Sequence, residues 1–380
     1  MRRTLKGAGI AVALVVLWLG AQTAPAEQHT HDKPVIQMAI LLDTSGSMSG
    51  LINQARTQIW KVVNEFATKK KGGEIPRLEV ALYEYGKSSL PKSEGYMRMI
   101  LPLTTDLDRV SEELFALGTN GGAEFCGMVI ERATNNLHWN SSNEDLKVIF
   151  IVGNEPFTQG PVDYRQATRA AINRGIIVNT IHCGSEKSGI SEKWKDGAVL
   201  ADGSFMCINQ DRRVAHIKAP QDKRIAELGV ELNSTYIPYG SAGEAGQQRQ
   251  VVQDSNAARN AESGAYLQRM VTKANAQYSN SHWDLVDAVR EGVVKVEELD
   301  EKALPEGMHE LTLEEQKAYV KRQARRRAEI REKINQLNAE RQEYIAKKRK
   351  DLAKSGENTL DDALLSALRK QAAAKGFEKE

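Results

Sequence analysis

Between Val35 and Tyr239 the chain alternates two hydrophobic periods. "VIQMAILL" (35–42) is apolar at all but one position, the pattern of a strand covered on both faces. Ile52, Ile59, Val62, Val63 and Phe66 then recur at helical spacing and predict an amphipathic helix to about Lys69. "RLEVALYEY" (77–85) alternates Leu78, Val80 and Leu82, which predicts a half-covered strand. "YMRMILPL" (96–103) predicts another, with Pro102 marking an edge or an end. Helical spacing returns over 106–117 and from Glu124 to Leu137. "KVIFIV" (147–152) is an unbroken buried strand, 162–174 a helix and 175–182 a strand. The span 191–209 reads as a short helix, a Gly turn and a last strand, and 221–237 as a closing helix. Such alternation predicts an α/β fold, a mostly parallel sheet with helices on both faces. Ligands of such sheets gather beyond the carboxyl ends of the strands.

The pattern changes after a unit spanning 33–240. "SAGEAGQQRQ" (241–250) is rich in Gly and Gln and predicts a linker. Beyond it only helical periods appear: a small helical segment over 251–304, then a charged helical or coiled-coil-like extension over 308–380. Pro305-Glu306-Gly307 separates the two, and Thr312 with Glu315 has capping-box spacing at the start of the long helix. Ile330, Ile334, Leu337 and Tyr344 trace a thin apolar seam, interrupted by Arg341 and Lys348.

Before the first strand, Arg2, Arg3 and Lys6 precede an apolar stretch, Ile10–Gly20, and a small-residue site at Ala24-Pro25-Ala26. These predict an export signal over 1–26 and a mature protein that is periplasmic or secreted. The apolar stretch is shorter than the roughly 20 residues that cross a bilayer. Without the signal the formal charge moves from +2 to near −1, which favours neither nucleic acid nor acidic partners. Cys126, Cys183 and Cys207 are odd in number for an oxidising compartment, so one internal pair can close. Cys183 follows one strand and Cys207 lies in the next, and that pair is the expected disulfide.

The chemistry concentrates in "MAILLDTSGSMSG" (38–50), where a buried strand ends on Asp43 and hydroxyls follow. An aspartic-protease turn needs Gly directly after the hydroxyl residue and a second such turn elsewhere. Ser45 stands between Thr44 and Gly46, and no second turn occurs. A plain strand-to-helix connection accounts for one capping serine, Ser47 or Ser49. It does not account for a carboxylate with hydroxyls two and four residues later. Alternate residues of an extended segment point the same way, so Asp43, Ser45 and Ser47 can converge above the sheet edge. One carboxylate and two neutral oxygens suit a hard divalent cation that keeps surplus positive charge for an anionic ligand.

Asp43-Thr44-Ser45-Gly46-Ser47, after an apolar strand and before an amphipathic helix, resembles the Asp-x-Ser-x-Ser motif of von Willebrand factor type A domains. The order of strands and helices through Tyr239 is similar to that Rossmann-like fold as well. The resemblance implies a metal-ion-dependent adhesion site, in which Mg²⁺, or Mn²⁺ or Ca²⁺, bridges to an acidic residue of a partner protein. Two positions depart from the family. A Thr is usual after a Gly-Gly turn, where "NGGAEFCG" (120–127) has Ala123 with Glu124 beside it. An Asp is usual after a later strand, where "IFIVGNEPF" (149–157) has Gly153. Glu124, Asn154 and Glu155 are the expected substitute oxygen donors.

Other candidates are weaker. His29 and His31 lie in an N-terminal tail, and His182-Cys183 reads as a packed histidine beside the disulfide. No phosphate loop and no paired-histidine zinc motif occurs. Glu84 and Glu94 are expected to be solvated. "KRQARRRAEIREK" (321–333) and "AKKRK" (346–350) are basic, but export argues against nucleic acid and interleaved Glu residues point to a solvated helix. Contact with anionic envelope lipids is the second reading of that helix. The expectation is a non-enzymatic adhesion or scaffold protein that recognises a partner's acidic group through the cation. The alternative is a metal-free scaffold whose helical extension mediates assembly or envelope association. A hydrolase using Asp43 or Glu124 as base ranks last, since no nucleophile–base pair or closed ligand set emerges.

Overall fold

The structure, a computed structural model, describes residues 33–379 except 51, 53–59, 61, 67–68, 209–216, 260–263 and 354–359. The expected export signal, the two tail histidines and most of the helix expected after the first strand lie outside the described residues. Lys33–Glu380 is one compact unit. No described helix is long and apolar enough to cross a membrane.

In chain order the strands are β1 (Val35–Asp43), β2 (Lys69–Lys70), β3 (Arg77–Tyr85), β4 (Met97–Thr104), β5 (Leu146–Gly153), β6 (Ile176–His182), β7 (Phe205–Cys207) and β8 (Glu378–Lys379). Six of them form a sheet in the order β4-β3-β1-β5-β6-β7, parallel except for the β3–β4 edge pair. β1 therefore lies centrally, between β3 and β5, which both follow it in the chain and lie on opposite sides of it. That is the switch point at which doubly wound sheets open a crevice beyond their carboxyl ends.

The helices are α1 (Leu107–Ala116), α2 (Cys126–Asn136), α3 (Tyr164–Asn173), α4 (Glu186–Ser191), α5 (Trp194–Val199), α6 (Asp222–Asn233), α7 (Gly243–Arg259), α8 (Ala265–Ala274), α9 (Leu285–Arg290), α10 (Leu313–Ala353) and α11 (Leu360–Ala374). Strand alternation divides them into two layers. Ile36, Met38, Ile40 and Leu42 of β1 face a core built with residues of α1, α6, α8, α10 and α11. Ala39 and Leu41 face the opposite core, with α2, α3 and Trp194 of α5. β3 follows the same rule. Leu78, Val80 and Leu82 enter the first core and Ala81, Tyr83 and Tyr85 the second, so this strand is covered on both faces rather than half-covered.

Four expectations are corrected here. Residues 241–250 are no linker: α7 starts at Gly243 and runs through them. Its Gly and Gln content served packing, for Gln250 is buried and its amide donates to Tyr278 Oη at 3.0 Å. The helical segments over 251–304 and 308–380 are not separate units either. Met270, Trp283, Ile330, Ile334, Leu368 and Phe377 share one core with the sheet. The seam of α10 is used within the chain, and Arg341, which interrupts it, is buried against Asp222 at 2.7 Å. Lys69 belongs not to a helix but to β2, which pairs with β8 near the chain end.

The Cys183–Cys207 bridge is not formed, and all three cysteines are free thiols. Register supplies the reason. His182 pairs with Cys207 across the parallel strands, so Cys183, one residue on, projects to the other face. Cys183 lies in the first core beside Ile181 and Met206, while Phe205, two residues before Cys207, packs on the second. Glu84 is likewise not solvated. It is fully buried, with Arg98 Nε at 2.5 Å, Lys87 Nζ at 3.4 Å and Thr44 Oγ1 at 3.2 Å. Glu94 remains at the surface, 3.4 Å from Arg132.

Candidate metal centre

β1 delivers Asp43 to its last position, and the chain then turns through Thr44 and Ser45 into a 3-10 turn, Gly46–Gly50, that carries Ser47. Neighbouring loops pin this junction. Thr44 N–H donates to Tyr85 O at 2.9 Å, and Asn120 N–H donates to Thr44 O at 3.1 Å. The Asp43 carboxylate accepts from Ser45 N–H at 2.7 Å, a local side-chain-to-backbone bond that such turns favour.

The three motif oxygens converge. Ser45 Oγ lies 2.9 Å from Ser47 Oγ, and Ser47 Oγ donates to Asn154 Oδ1 at 3.0 Å. Asn154 follows β5, the strand paired with β1 on that side. Glu124 enters from the loop before α2 and is buried beside the Asp43 turn. It comes close because the loop after β3 carries Gly86 at φ +79°. A Cβ there would stand 2.7 Å from Asp43 Oδ1 and 2.9 Å from Glu124 Cγ. Glu155 completes the group. Gln159 links it to Glu124, its amide donating to Glu155 Oε2 at 3.4 Å and its oxygen accepting from Glu124 N–H at 3.3 Å. Asp43, Ser45, Ser47, Glu124, Asn154 and Glu155 thus gather around the carboxyl edge of β1 and β5.

The electrostatics of the cluster favour a positive charge beside Asp43. Asp43 is fully buried, and its Oδ2 has no hydrogen-bond partner. Burial, partly offset by bonds from Ser45, pushes its carboxyl up to about 6. Burial and then the charges of Asp43 and Glu155 push Glu124 up to about 7. A buried carboxylate oxygen left unpaired is costly, and a divalent cation would satisfy it. Among the described residues no three Asp, Glu, His or Cys side chains are grouped as metal ligands. An ion here would therefore rest on Asp43 and at most one further carboxylate, together with hydroxyl and amide oxygens, the hard donors that Mg²⁺, Mn²⁺ and Ca²⁺ accept. The residues fit such an ion.

One of the two departures from the family pattern has a steric basis. At Gly153 a Cβ would lie 2.5 Å from Tyr85 Oη, 3.0 Å from Trp194 Cη2 and 3.2 Å from Asp43 Cβ. No aspartate fits there, because Tyr85, donating to Val152 O at 3.0 Å, and Trp194 fill the space. Ala123 has no side-chain oxygen, and Glu124 stands beside it. Sequence reasoning missed Gly86, Gln159, Tyr85 and Trp194. A glycine directly after a buried strand was the one signal available for the first. His182 is packed against Trp194, with Nε2 3.0 Å from Ser188 Oγ. Burial lowers its pKa to about 4.

Residues 37–192 match the family model of the von Willebrand factor type A domain, and this part of the chain is such a domain. A search of curated proteins found no match. Among solved structures, similarity extends to the conserved hypothetical protein BatB from Bacteroides thetaiotaomicron, at 16% identity over 46% of this chain and 90% of that one, with a TM-score of 0.36. The SpRpn10 VWA domain is similar at 15% identity over 47% of this chain and 91% of that one, TM-score 0.37. Proximal thread matrix protein 1 of the mussel byssus, in a form with a zinc-occupied MIDAS motif, is similar at 13% identity and a TM-score of 0.35. The match covers 47% of this chain and 43% of that one, less than half of its length.

Proposed function

We propose that this protein is an exported, non-enzymatic binding protein that recognises an acidic residue of a protein partner through a divalent cation, Mg²⁺ or else Mn²⁺ or Ca²⁺. The observation that carries the reading is the buried, unpartnered Asp43 Oδ2 beside the Ser45, Ser47 and Asn154 oxygens. When bound, the ion would supply a positive centre for a partner's carboxylate. Asp43 would hold it directly, and Ser45 and Ser47 would supply neutral oxygens. Asn154, Glu124 and Glu155 would contribute directly or through water. The loops at the carboxyl edge of the sheet would present it. Export rests on the basic and apolar residues before Ala26. Thermal melting during titration with Mg²⁺, Mn²⁺ and Ca²⁺ tests the ion: melting should rise with at least one of them, and Asp43→Ala should abolish the response. A native protein whose melting ignores all three ions defeats the reading.

A second reading, a metal-free scaffold that touches the envelope through α10, is favoured by one observation. Arg327, Ile330, Arg331 and Ile334 are buried, whereas Lys321, Arg322, Arg325 and Arg326 are exposed on the other side of the helix. Polybasic surfaces gain about 1 kcal/mol per charge near anionic lipid. Salt-sensitive sedimentation with phosphatidylserine vesicles, lost in a Lys321→Glu, Arg325→Glu double variant, is the expected result. Equal sedimentation of both proteins counts against it.

A further inference from the structure

Glu124 stands next to Ala123, the position where the family pattern has a neutral hydroxyl. It is buried, and Gly86 lets its Cγ and Asp43 Oδ1 close on the same point beside the loop after β3. Its backbone is held as well. Glu124 N–H donates to Gln159, Cys126 N–H donates to Glu124 O at 3.2 Å, and α2 begins at Cys126. The other side of the cluster is built around Asp43 Oδ2, a fully buried acceptor without a partner.

We infer that Glu124 is a built-in anionic ligand of the cation site, so that the chain itself contributes the second carboxylate that an open adhesion site takes from its partner. This deepens the cation reading above and rests on it. The chemistry is a matter of charge. One carboxylate with neutral oxygens leaves a divalent ion with surplus positive charge, whereas two carboxylates balance it. Glu124 then does two things at once. It tightens the ion in the absence of a partner, and it competes with any acidic group that approaches. A partner's carboxylate gains the ion only as Glu124 gives it up. Glu124 is on this account the residue that sets the specificity and threshold of the site. Glu155 adds further negative potential at the same rim, since both Asp43 and Glu124 feel its charge.

Calorimetric titration of Mn²⁺ into the full chain tests this, in the absence and presence of a capped Gly-Asp-Gly peptide as acidic probe. The native protein should bind Mn²⁺ with an affinity that the peptide raises less than it does in the variants. Glu124→Gln, which keeps the shape and removes the charge, should bind Mn²⁺ about tenfold more weakly. The peptide should then restore affinity by about threefold or more, because binding of the two ligands is linked reciprocally. Glu124→Ser, with a neutral hydroxyl, carries the same expectation and serves if the Gln variant melts below the native protein. Native Mn²⁺ affinity in both variants overturns the inference, as does a peptide effect as large in the native protein as in the variants. Failure of the cation reading itself has a different signature: native protein that releases no heat with Mn²⁺ at all.

Discussion

Two glycines decide how much room the cluster has. Gly86 sits at φ +79°, a region that L side chains seldom adopt, and any Cβ there strikes Asp43 and Glu124. Gly86→Ala should therefore cost about 1–3 kcal/mol, from backbone strain and displaced carboxylates together. Urea denaturation measures the loss, and a variant as stable as the native protein would contradict the close approach. Gly153 works by the opposite logic. Its missing side chain is already replaced by Tyr85 and Trp194, so the family's aspartate cannot be reinstated without moving both. The motif Asp43-x-Ser45-x-Ser47 was legible in the sequence because its residues are near neighbours in the chain, although a 3-10 turn after β1, and not continued strand alternation, brings Ser45 and Ser47 together. The hydroxyl of Tyr85, arriving from 42 residues away in the chain, was not.

At the scale of elements, α10 shows how a charged helix can be a core helix. Arg327 is buried, with Nη1 2.6 Å from Asp284 Oδ2 and 2.9 Å from Asp287 Oδ1, and its guanidinium lies 4.0 Å from the centre of the Tyr236 ring. Its Nη2 donates to Thr235 O at 2.7 Å. Arg269 binds Asp108 at 2.9 Å, and Lys273 binds Asp254 at 2.7 Å, which tie α8 to α1 and α7. Removing one partner of such a pair leaves a buried charge uncompensated. Arg327→Ala should accordingly lose about 3–5 kcal/mol in chemical denaturation. A loss below about 1 kcal/mol, the range of an exposed pair, would place this arginine in solvent. The arginine-rich run was read as solvated because charge predicts exposure on average. Only the facing aspartates, far off in sequence, make burial of Arg327 possible.

For the whole molecule, the boundary placed at Gly240 changes meaning. The first core joins β1 to Met270, Trp283, Ile330, Ile334 and Leu368, and Glu65 takes both hydrogen bonds of an Arg369 fork at 3.0 Å. The von Willebrand factor type A domain here is capped by its own C-terminal helices. A chain truncated after Gly240 should expose that apolar face and fail to unfold in a single sharp transition. Circular dichroism melting of residues 33–240 checks this, and a cooperative transition matching the full chain would show the cap to be dispensable.

What the sequence by itself determined is what local periodicity carries: a central buried strand, the alternation that makes the sheet mostly parallel, and an oxygen triad at a strand end. These depend on residues within a few positions of one another, so short-range geometry suffices. Only the tertiary structure decided which helices share the core, which face Cys183 and Cys207 take, and which side chains fill Gly153. Each of those turns on contacts between distant segments, where burial and charge pairing outweigh the preference any single segment shows alone.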